Sequence, residues 1–93
     1  MRFLPTVLAG AALALSFSAS AQEDAIRKAL AERIPQLQKI DEVVATPMAG
    51  LYEVRMGTDL FYSDAKGNYL IQGELIDTAA HRNLTEDRIN KLT

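Results

Sequence analysis

The side chains of this 93-residue chain that could carry out acid–base catalysis are one histidine and twelve carboxylates, and the carboxylates are dispersed along the sequence as solvated groups would be. The chain has no cysteine and therefore offers no thiolate nucleophile, no disulfide and no cysteine ligand for a metal. Its one histidine, His81, lies in a segment without a hydrophobic period, and such a lone histidine is typical of a solvated side chain. A zinc site is not expected from one histidine and no cysteine. The sequence therefore predicts no catalytic, cofactor-binding or metal-binding residue.

The charged residues also argue against phosphate-containing partners. Residues 22–93 contain nine Lys and Arg and all twelve Asp and Glu, which gives a net charge of −3. A nucleic-acid surface needs clustered basic residues, and no glycine-rich phosphate loop is present. The segment 64–67 lacks the oxygen ligands of a calcium loop. We therefore expect that the protein does not bind nucleic acids. Together with the lack of catalytic residues, this favours an interaction module, and a small enzyme is the weakest alternative function.

The first 21 residues have the pattern of a cleaved export signal. Arg2 precedes an uninterrupted apolar run over Val7–Leu15, and Ala19-Ser20-Ala21 supplies the small residues that signal peptidase accepts. The apolar run is less than half of the roughly 20 residues that a membrane-spanning helix needs. The sequence predicts cleavage between Ala21 and Gln22, an exported chain of residues 22–93, and no membrane association after cleavage.

The mature segment begins with a helical period and then changes to a strand period. Ile26, Leu30 and Ile34 recur every four residues, which predicts an amphipathic helix over Asp24–Ile34 that ends before Pro35. Its apolar stripe is expected to face a core, with a partner-binding face as the alternative. The predicted strands are Ile40–Thr46, Leu51–Met56, Leu60–Ser63 and, as the longest, Asn68–Ile76.

Turn and capping signals complete the predicted elements. Asp64-Ala65-Lys66-Gly67 suits a type I turn with a bulge that closes a hairpin. Asp77–Arg82 has no clear period and is predicted to be a loop. Thr85 is the predicted N-cap of a last helix, with Leu84 and Ile89 spaced as a hydrophobic staple. We interpret this helix as the start of a longer one that leads to another domain, with a frayed terminal helix as the alternative.

The small size of the mature chain and one glycine indicate self-association. A chain of this length has a thin core that exported domains usually supplement with disulfides, a metal or oligomerisation, and only the last remains here. Gly73 weakens the longest predicted strand unless another backbone approaches it closely, with a bulge inside one subunit as the alternative. The predicted seam of a homodimer is Tyr69, Leu70, Ile71, Gln72, Gly73, Glu74 and Leu75.

The order of these elements and three short motifs resemble a known family. The most specific motifs are the pair Tyr62 and Gly67 in the run Leu60–Gly73, and the Ile-Gln-Gly end of that run. Pro47–Tyr52 is similar to the Pro-x-x-Gly entry into a small sheet. With the export signal, they make residues 22–93 resemble the N-terminal dimerisation domain of the DsbC/DsbG periplasmic thiol:disulfide isomerases.

The resemblance implies a cystatin-like α+β fold with an N-terminal helix, a small antiparallel sheet and the start of a linker helix. It implies a signal peptide over 1–21, a dimerisation domain over 22–82 and the start of a linker helix over 83–93. It also implies a periplasmic homodimer that pairs through the strand matching Tyr69–Gly73. The thioredoxin domain with its two cysteines, to which the linker helix leads in this family, is missing from the sequence.

The expected function is therefore non-catalytic dimerisation and substrate contact in a disulfide isomerase or a DsbG-like relative, whose substrates are misfolded exported proteins. The chain would be a fragment, a truncated gene product or a free-standing domain. The alternative is a stand-alone periplasmic binding or chaperone-like module, or a cystatin-like inhibitor.

Overall fold

The computed structural model of the chain describes residues 21–93, so the predicted export signal lies outside the described residues except for Ala21. Within them, helix α1 covers residues 21–33 and a short 3₁₀ helix covers Pro35–Leu37. Six strands and a second helix follow in chain order: β1 (Glu42–Ala45), β2 (Leu51–Met56), β3 (Asp59–Asp64), β4 (Leu70–Ile71), β5 (Ile76–Asp77), β6 (Arg82–Asn83) and α2 (Leu84–Leu92). The predicted α+β class is confirmed.

Helix α1 ends at Arg33, one residue before the predicted end at Ile34, and supplies one side of the core. Ile26 and Leu30 are fully buried, and Ile34 packs against the same cluster. Ile34 itself has an extended backbone with φ −125° and ψ 99°, because the ring of Pro35 disfavours helical geometry in the residue before it. The apolar stripe of α1 is therefore a core face.

Strands β1 to β4 form one antiparallel sheet in the order β1-β2-β3-β4. Val43, Val54 and Phe61 lie side by side across the first three strands and pack with α1. The residues that alternate with them point to the opposite face of the sheet. That second face carries Glu53 and Tyr62, and both side chains are buried although one of them is a carboxylate.

The prediction of one long strand over Asn68–Ile76 is wrong. Only Leu70 and Ile71 pair with β3, opposite Ser63 and Tyr62. The backbone before them is used elsewhere, because the N–H groups of residues 68 and 69 both donate to the carboxylate of Asp64.

The backbone after Ile71 also leaves the ladder. Leu75 donates its N–H to the hydroxyl of Thr85 at 2.9 Å and accepts a hydrogen bond from the N–H of Leu84 at 2.8 Å. Because the backbone groups of Leu75 are satisfied by the start of α2, β4 does not reach Leu75; β4 ends at Ile71, and strand structure resumes only at Ile76.

The predicted loop over Asp77–Arg82 is confirmed only for the turn residues 78–81, because both ends of the segment are paired. Ile76 pairs with Asn83 and Asp77 with Arg82, so the segment is a tight hairpin of β5 and β6. Strands of two residues show no alternation in the sequence. In the turn, His81 adopts a left-handed φ of 55° and is exposed, as a solvated histidine would be.

Thr85 does not cap α2. The cap is Asn83, whose Oδ1 accepts a hydrogen bond from the N–H of Glu86 at 3.0 Å. Thr85 lies two residues further along and is buried. Asn and Thr are both good cap residues, and the pairing of β6 at Asn83 decides between them.

The predicted hydrophobic staple of Leu84 and Ile89 is wrong for the same reason. Counted from the observed cap, the two staple positions are Arg82 and Asp87. They form an ion pair, with Arg82 Nη2 at 2.7 Å from Asp87 Oδ2. A charged pair therefore holds the chain at the entry to α2 where an apolar pair was expected.

Candidate interaction edge of the sheet

Strand β4 forms an outer edge of the four-stranded sheet, and among residues 21–93 no strand covers its free side. Leu70 points inward and packs against the core. Its neighbours Tyr69 and Ile71 are 74% and 50% exposed. The edge is thus anchored from inside and displays two large apolar side chains beside unpaired backbone, the arrangement that another strand can pair with.

The turn before β4 fixes the start of this edge. Gly67 donates its N–H to the carbonyl of Asp64 at 3.2 Å and has a left-handed φ of 67°, so the predicted turn is confirmed. The carboxylate of Asp64 accepts from the N–H groups of Asn68 and Tyr69 at 2.8 and 3.0 Å. Desolvation raises the pKa of Asp64, but these hydrogen bonds outweigh it and hold the pKa below its usual value.

The same turn is held against α1. A Cβ atom on Gly67 would lie 2.9 Å from the Cβ of Ala29, closer than real Cβ atoms come to a neighbour. Arg33 donates to the carbonyl of Gly67 at 2.8 Å and to Oδ1 of Asn68 at 3.0 Å. The position of the edge is therefore set by the first helix as well as by the sheet.

Gly73 is exposed and is not required by the fold of a single chain. Its φ is not left-handed, and within the described residues no atom lies within 4 Å of where its Cβ would be. The three other described glycines, Gly50, Gly57 and Gly67, all have φ between 60° and 82°. Neither a left-handed backbone nor a close neighbour within residues 21–93 therefore explains why position 73 is a glycine.

The structure places the predicted seam residues in three environments. Tyr69, Leu70 and Ile71 lie at the edge, and Gln72, Gly73 and Glu74 continue from it as exposed residues. Leu75 is half-buried and bonded to the start of α2, which draws it away from the edge. Glu74 is also engaged, because it accepts from Nδ2 of Asn83 at 2.8 Å.

A second polar cluster lies on the face of the sheet that α2 covers. Arg88 of α2 donates from Nε to Oε1 of Glu53 at 2.8 Å, and its Nη2 bonds Oε1 of Glu42. Arg55 donates to the same oxygen of Glu42 at 3.1 Å. The side-chain bond from Arg55 and the charge of Arg88 lower the pKa of Glu42 despite its partial burial. The bond to Glu53 raises the pKa of Arg88.

Beside this cluster, one hydroxyl joins three elements. Thr85 Oγ1 is hydrogen-bonded to the hydroxyl of Tyr62 and accepts from the N–H of Leu75. Thr85 and Tyr62 are both almost fully buried. The start of α2 is thus tied to β3 and to the segment that follows β4.

Two features are absent from the part of the chain that the structure describes. No group of three or more His, Asp or Glu side chains is placed to hold a metal ion there. None of the helices within residues 21–93 has the length and apolar character needed to cross a membrane.

Comparison of the amino-acid sequence with known proteins identifies its family. A family model described as the disulfide bond isomerase protein N-terminal domain matches residues 17–86. The chain belongs to this family, DsbC_N. The family resemblance of the sequence is thereby confirmed.

Curated relatives agree with the DsbC_N assignment. The "Probable thiol:disulfide interchange protein DsbC" of Bordetella avium is 41% identical over 70 residues, which cover 75% of this chain and 24% of the relative. The protein of that name from Bordetella pertussis is 39% identical over 72 residues, covering 77% and 25%. The chain thus spans about a quarter of the length of these relatives. No solved structure matches it significantly.

Sequence reasoning about this DsbC_N domain missed the cluster around Arg88. In the predicted strand Leu51–Met56, Glu53 and Arg55 alternate with the apolar residues, which alone would indicate a solvated face, yet Glu53 is only 7% exposed and is bonded to Arg88 of α2. The available signal was the position of Glu53 in the middle of a central strand. A carboxylate at such a position needs a basic partner when the face is covered.

Proposed function

We propose that this chain is the non-catalytic dimerisation domain of a periplasmic thiol:disulfide interchange protein. Its membership in DsbC_N and the names of its relatives support the disulfide-isomerase context. Thiol–disulfide exchange needs an attacking thiolate, and this chain contains no cysteine. The chemistry is therefore assigned to a cysteine-bearing domain, and this chain supplies the pairing surface. The cystatin-like arrangement of helix and sheet belongs to the same proposal.

The pairing surface is the segment Tyr69–Glu74, without the predicted Leu75 because the start of α2 takes its backbone N–H and C=O, and Gly73 is the observation that carries this assignment. The open space at Gly73 and its ordinary φ leave the single chain without a need for glycine. Close approach of the backbone of a second copy would explain the glycine, because any side chain at this position would be in its way. Two symmetry-related edges would pair their free N–H and C=O groups and cover Tyr69 and Ile71.

Replacement of Gly73 by Arg tests the seam without threatening the fold. Within residues 21–93, no atom beyond the adjoining residues lies within 4 Å of the Cβ position at Gly73, so the monomer should fold normally, while the long charged side chain blocks a close partner. We expect the dimer dissociation constant to rise at least about tenfold, a loss of roughly 1.4 kcal/mol or more. Sedimentation velocity over a concentration series measures this change.

The matched control places the same residue in the exposed turn of the β5–β6 hairpin, at Ala79. Ala79→Arg adds the same charge away from the seam and should leave the dimer unchanged. An unmutated chain that sediments as a monomer, or a Gly73→Arg chain as tightly dimeric as the control, would show that the seam is wrongly placed.

The exposed apolar side chains also suit contact with unfolded protein. Met48 and Ile76 are 58% and 55% exposed, and together with Leu75 and Leu84 they line an open groove beside the start of α2. Within the proposed function, such surface faces the misfolded exported proteins on which the parent isomerase acts. The purified domain alone should not reduce insulin or refold scrambled ribonuclease, because it has no thiol.

The proposal includes removal of residues 1–21 on export. The basis is the short apolar run and the Ala19-Ser20-Ala21 site in the sequence. Intact-mass measurement of the periplasmic fraction should give a chain that begins at Gln22, with or without cyclisation to pyroglutamate. Recovery of the full-length chain from membranes would contradict cleavage.

A further inference from the structure

Helix α2 is held on the sheet with little apolar burial. Thr85 is the one buried residue among its nine, and Leu84, Ile89 and Leu92 are only half-buried. An isolated helix of nine residues is marginal in water. The position and order of α2 therefore depend on a small number of specific contacts with the rest of the domain.

Two polar side chains bond α2 to the four-stranded sheet, and they lie on the same side of the helix. Residues 85 and 88 are three apart and so project from one face. Thr85 contacts Tyr62 of β3 and the N–H of Leu75. Arg88 contacts Glu53 of β2 and Glu42 of β1. The helix is thus bonded to three neighbouring strands through two side chains.

The two contacts restrict the helix in different ways. A bond at Thr85 alone, next to the backbone bond between Leu84 and Leu75, would hold the first turn but leave the rest of α2 free to swing. Arg88 adds a second point one turn further along. Its planar guanidinium bonds two carboxylates on adjacent strands, and Arg55 in turn fixes Glu42. Two points on a rigid helix define its direction.

We propose that Arg88 is a positioning residue that sets the direction in which α2 leaves the domain, with Thr85 as the pivot. The role of Arg88 is separate from the seam at Tyr69–Glu74, because neither carboxylate bonded by Arg88 lies in that segment, and on that side the pivot Thr85 contacts only Leu75, next to the segment. Any chain that continues from α2 inherits the direction that the carboxylates of β1 and β2 impose on this arginine.

Spin labels can measure this direction, since the chain contains no cysteine of its own. Lys28→Cys on α1 and Asn90→Cys on α2 place labels at two exposed positions. Labelled chain is mixed with excess unlabelled chain, so that only distances within one copy contribute. We expect one narrow distance distribution for the parent and a broadened, shifted one for Arg88→Met. Arg88→Lys should be intermediate, because an ammonium group lacks the planar fork.

The matched control is Lys91→Met, which removes an exposed positive charge from the same helix and should keep the parent distribution. An Arg88→Met distribution identical to that of the parent would overturn the proposal. So would a Lys91→Met change as large as that of Arg88→Met, because the effect would then be one of net charge.

Hydrogen exchange separates positioning from general support of the fold. In Arg88→Met, the α2 amides should lose protection about tenfold or more, the scale expected for a lost charge-assisted hydrogen bond, while the β2 amides keep theirs. Glu53→Gln, which removes one carboxylate charge but keeps an oxygen acceptor, should give a smaller loss in α2. Equal loss of protection in β2 and α2 would contradict a positioning role.

Discussion

Gly67→Ala is a substitution that separates backbone strain from steric crowding at one position. Gly67 has a left-handed φ of 67°, and its missing side chain makes room for the Cβ of Ala29, which would lie 2.9 Å from an added Cβ. Gly57 has a closely similar φ of 60°, but nothing within the described residues lies within 4 Å of its Cβ position. An alanine at either glycine would therefore have the same backbone strain, but only the alanine at position 67 would also be crowded by a neighbour.

The magnitudes follow from these geometries. An alanine in the left-handed region costs roughly 1–2 kcal/mol at either position. Forcing an extra methyl group into a packed contact costs a further ~1–3 kcal/mol. We therefore expect Gly57→Ala to lower the free energy of unfolding by roughly 1–2 kcal/mol and Gly67→Ala by about 2–5 kcal/mol. The larger value is a substantial part of the stability of so small a domain, on the order of 4–11 kcal/mol.

Urea unfolding followed by circular dichroism measures both values, at one fixed chain concentration because association would add to the apparent stability. The double variant Ala29→Gly/Gly67→Ala removes the atom that the new methyl group meets. It should recover the crowding energy of Gly67→Ala, less the roughly 1 kcal/mol that a glycine costs inside α1. Losses of equal size for Gly57→Ala and Gly67→Ala, or no coupling between Ala29 and Gly67, would refute the close-contact reasoning.

Two further predictions concern Thr85 and Asp64. Thr85→Val keeps the shape of the side chain but leaves the Tyr62 hydroxyl and the Leu75 N–H without their partner, so it should cost ~1–3 kcal/mol by urea unfolding. Thr85→Ser keeps the hydroxyl and should cost less; equal losses would contradict the hydrogen-bond explanation. The folded-state pKa of Asp64 is lowered, so its contribution is complete above its ordinary value of 3.8 and disappears as the pH falls through the folded value. Thermal unfolding should therefore show a shallower acid loss of stability in Asp64→Asn than in the parent, and parallel pH profiles would contradict this.

The elements that the sequence predicted well are those with a strong local signal. The stripe of Ile26, Leu30 and Ile34 repeats over about two turns, and Pro35 ends the helix by sterics alone. The Asp64–Gly67 turn was predicted because its residue types match its backbone angles. In each case the residues that determine the element lie within or directly next to it in the sequence.

The errors fall where distant contacts decide the structure. Residues 72–75 lie in the predicted strand but do not form one, and the start of α2 takes the backbone groups of Leu75. Asn83 and Thr85 are both acceptable caps, and the choice between them depends on the pairing of β6. The ionic cluster of Arg88 joins residues more than thirty positions apart, and no spacing rule relates them.

The two faces of the sheet are closed by forces that respond to salt in opposite directions. On the α1 face, burial of Val43, Val54 and Leu30 is strengthened by sulfate and similar excluded salts. On the α2 face, ionic strength near 1 M shortens the screening distance to about 3 Å and weakens the bond of Arg88 to the partly exposed Glu42 more than its bond to the buried Glu53. Adding such a salt therefore stabilises the packing of α1 on the sheet and weakens the attachment of α2. An unfolding midpoint measured in different salts averages these two opposed effects. Hydrogen exchange should therefore show that added sulfate raises the protection of the α1 amides and lowers that of the α2 amides.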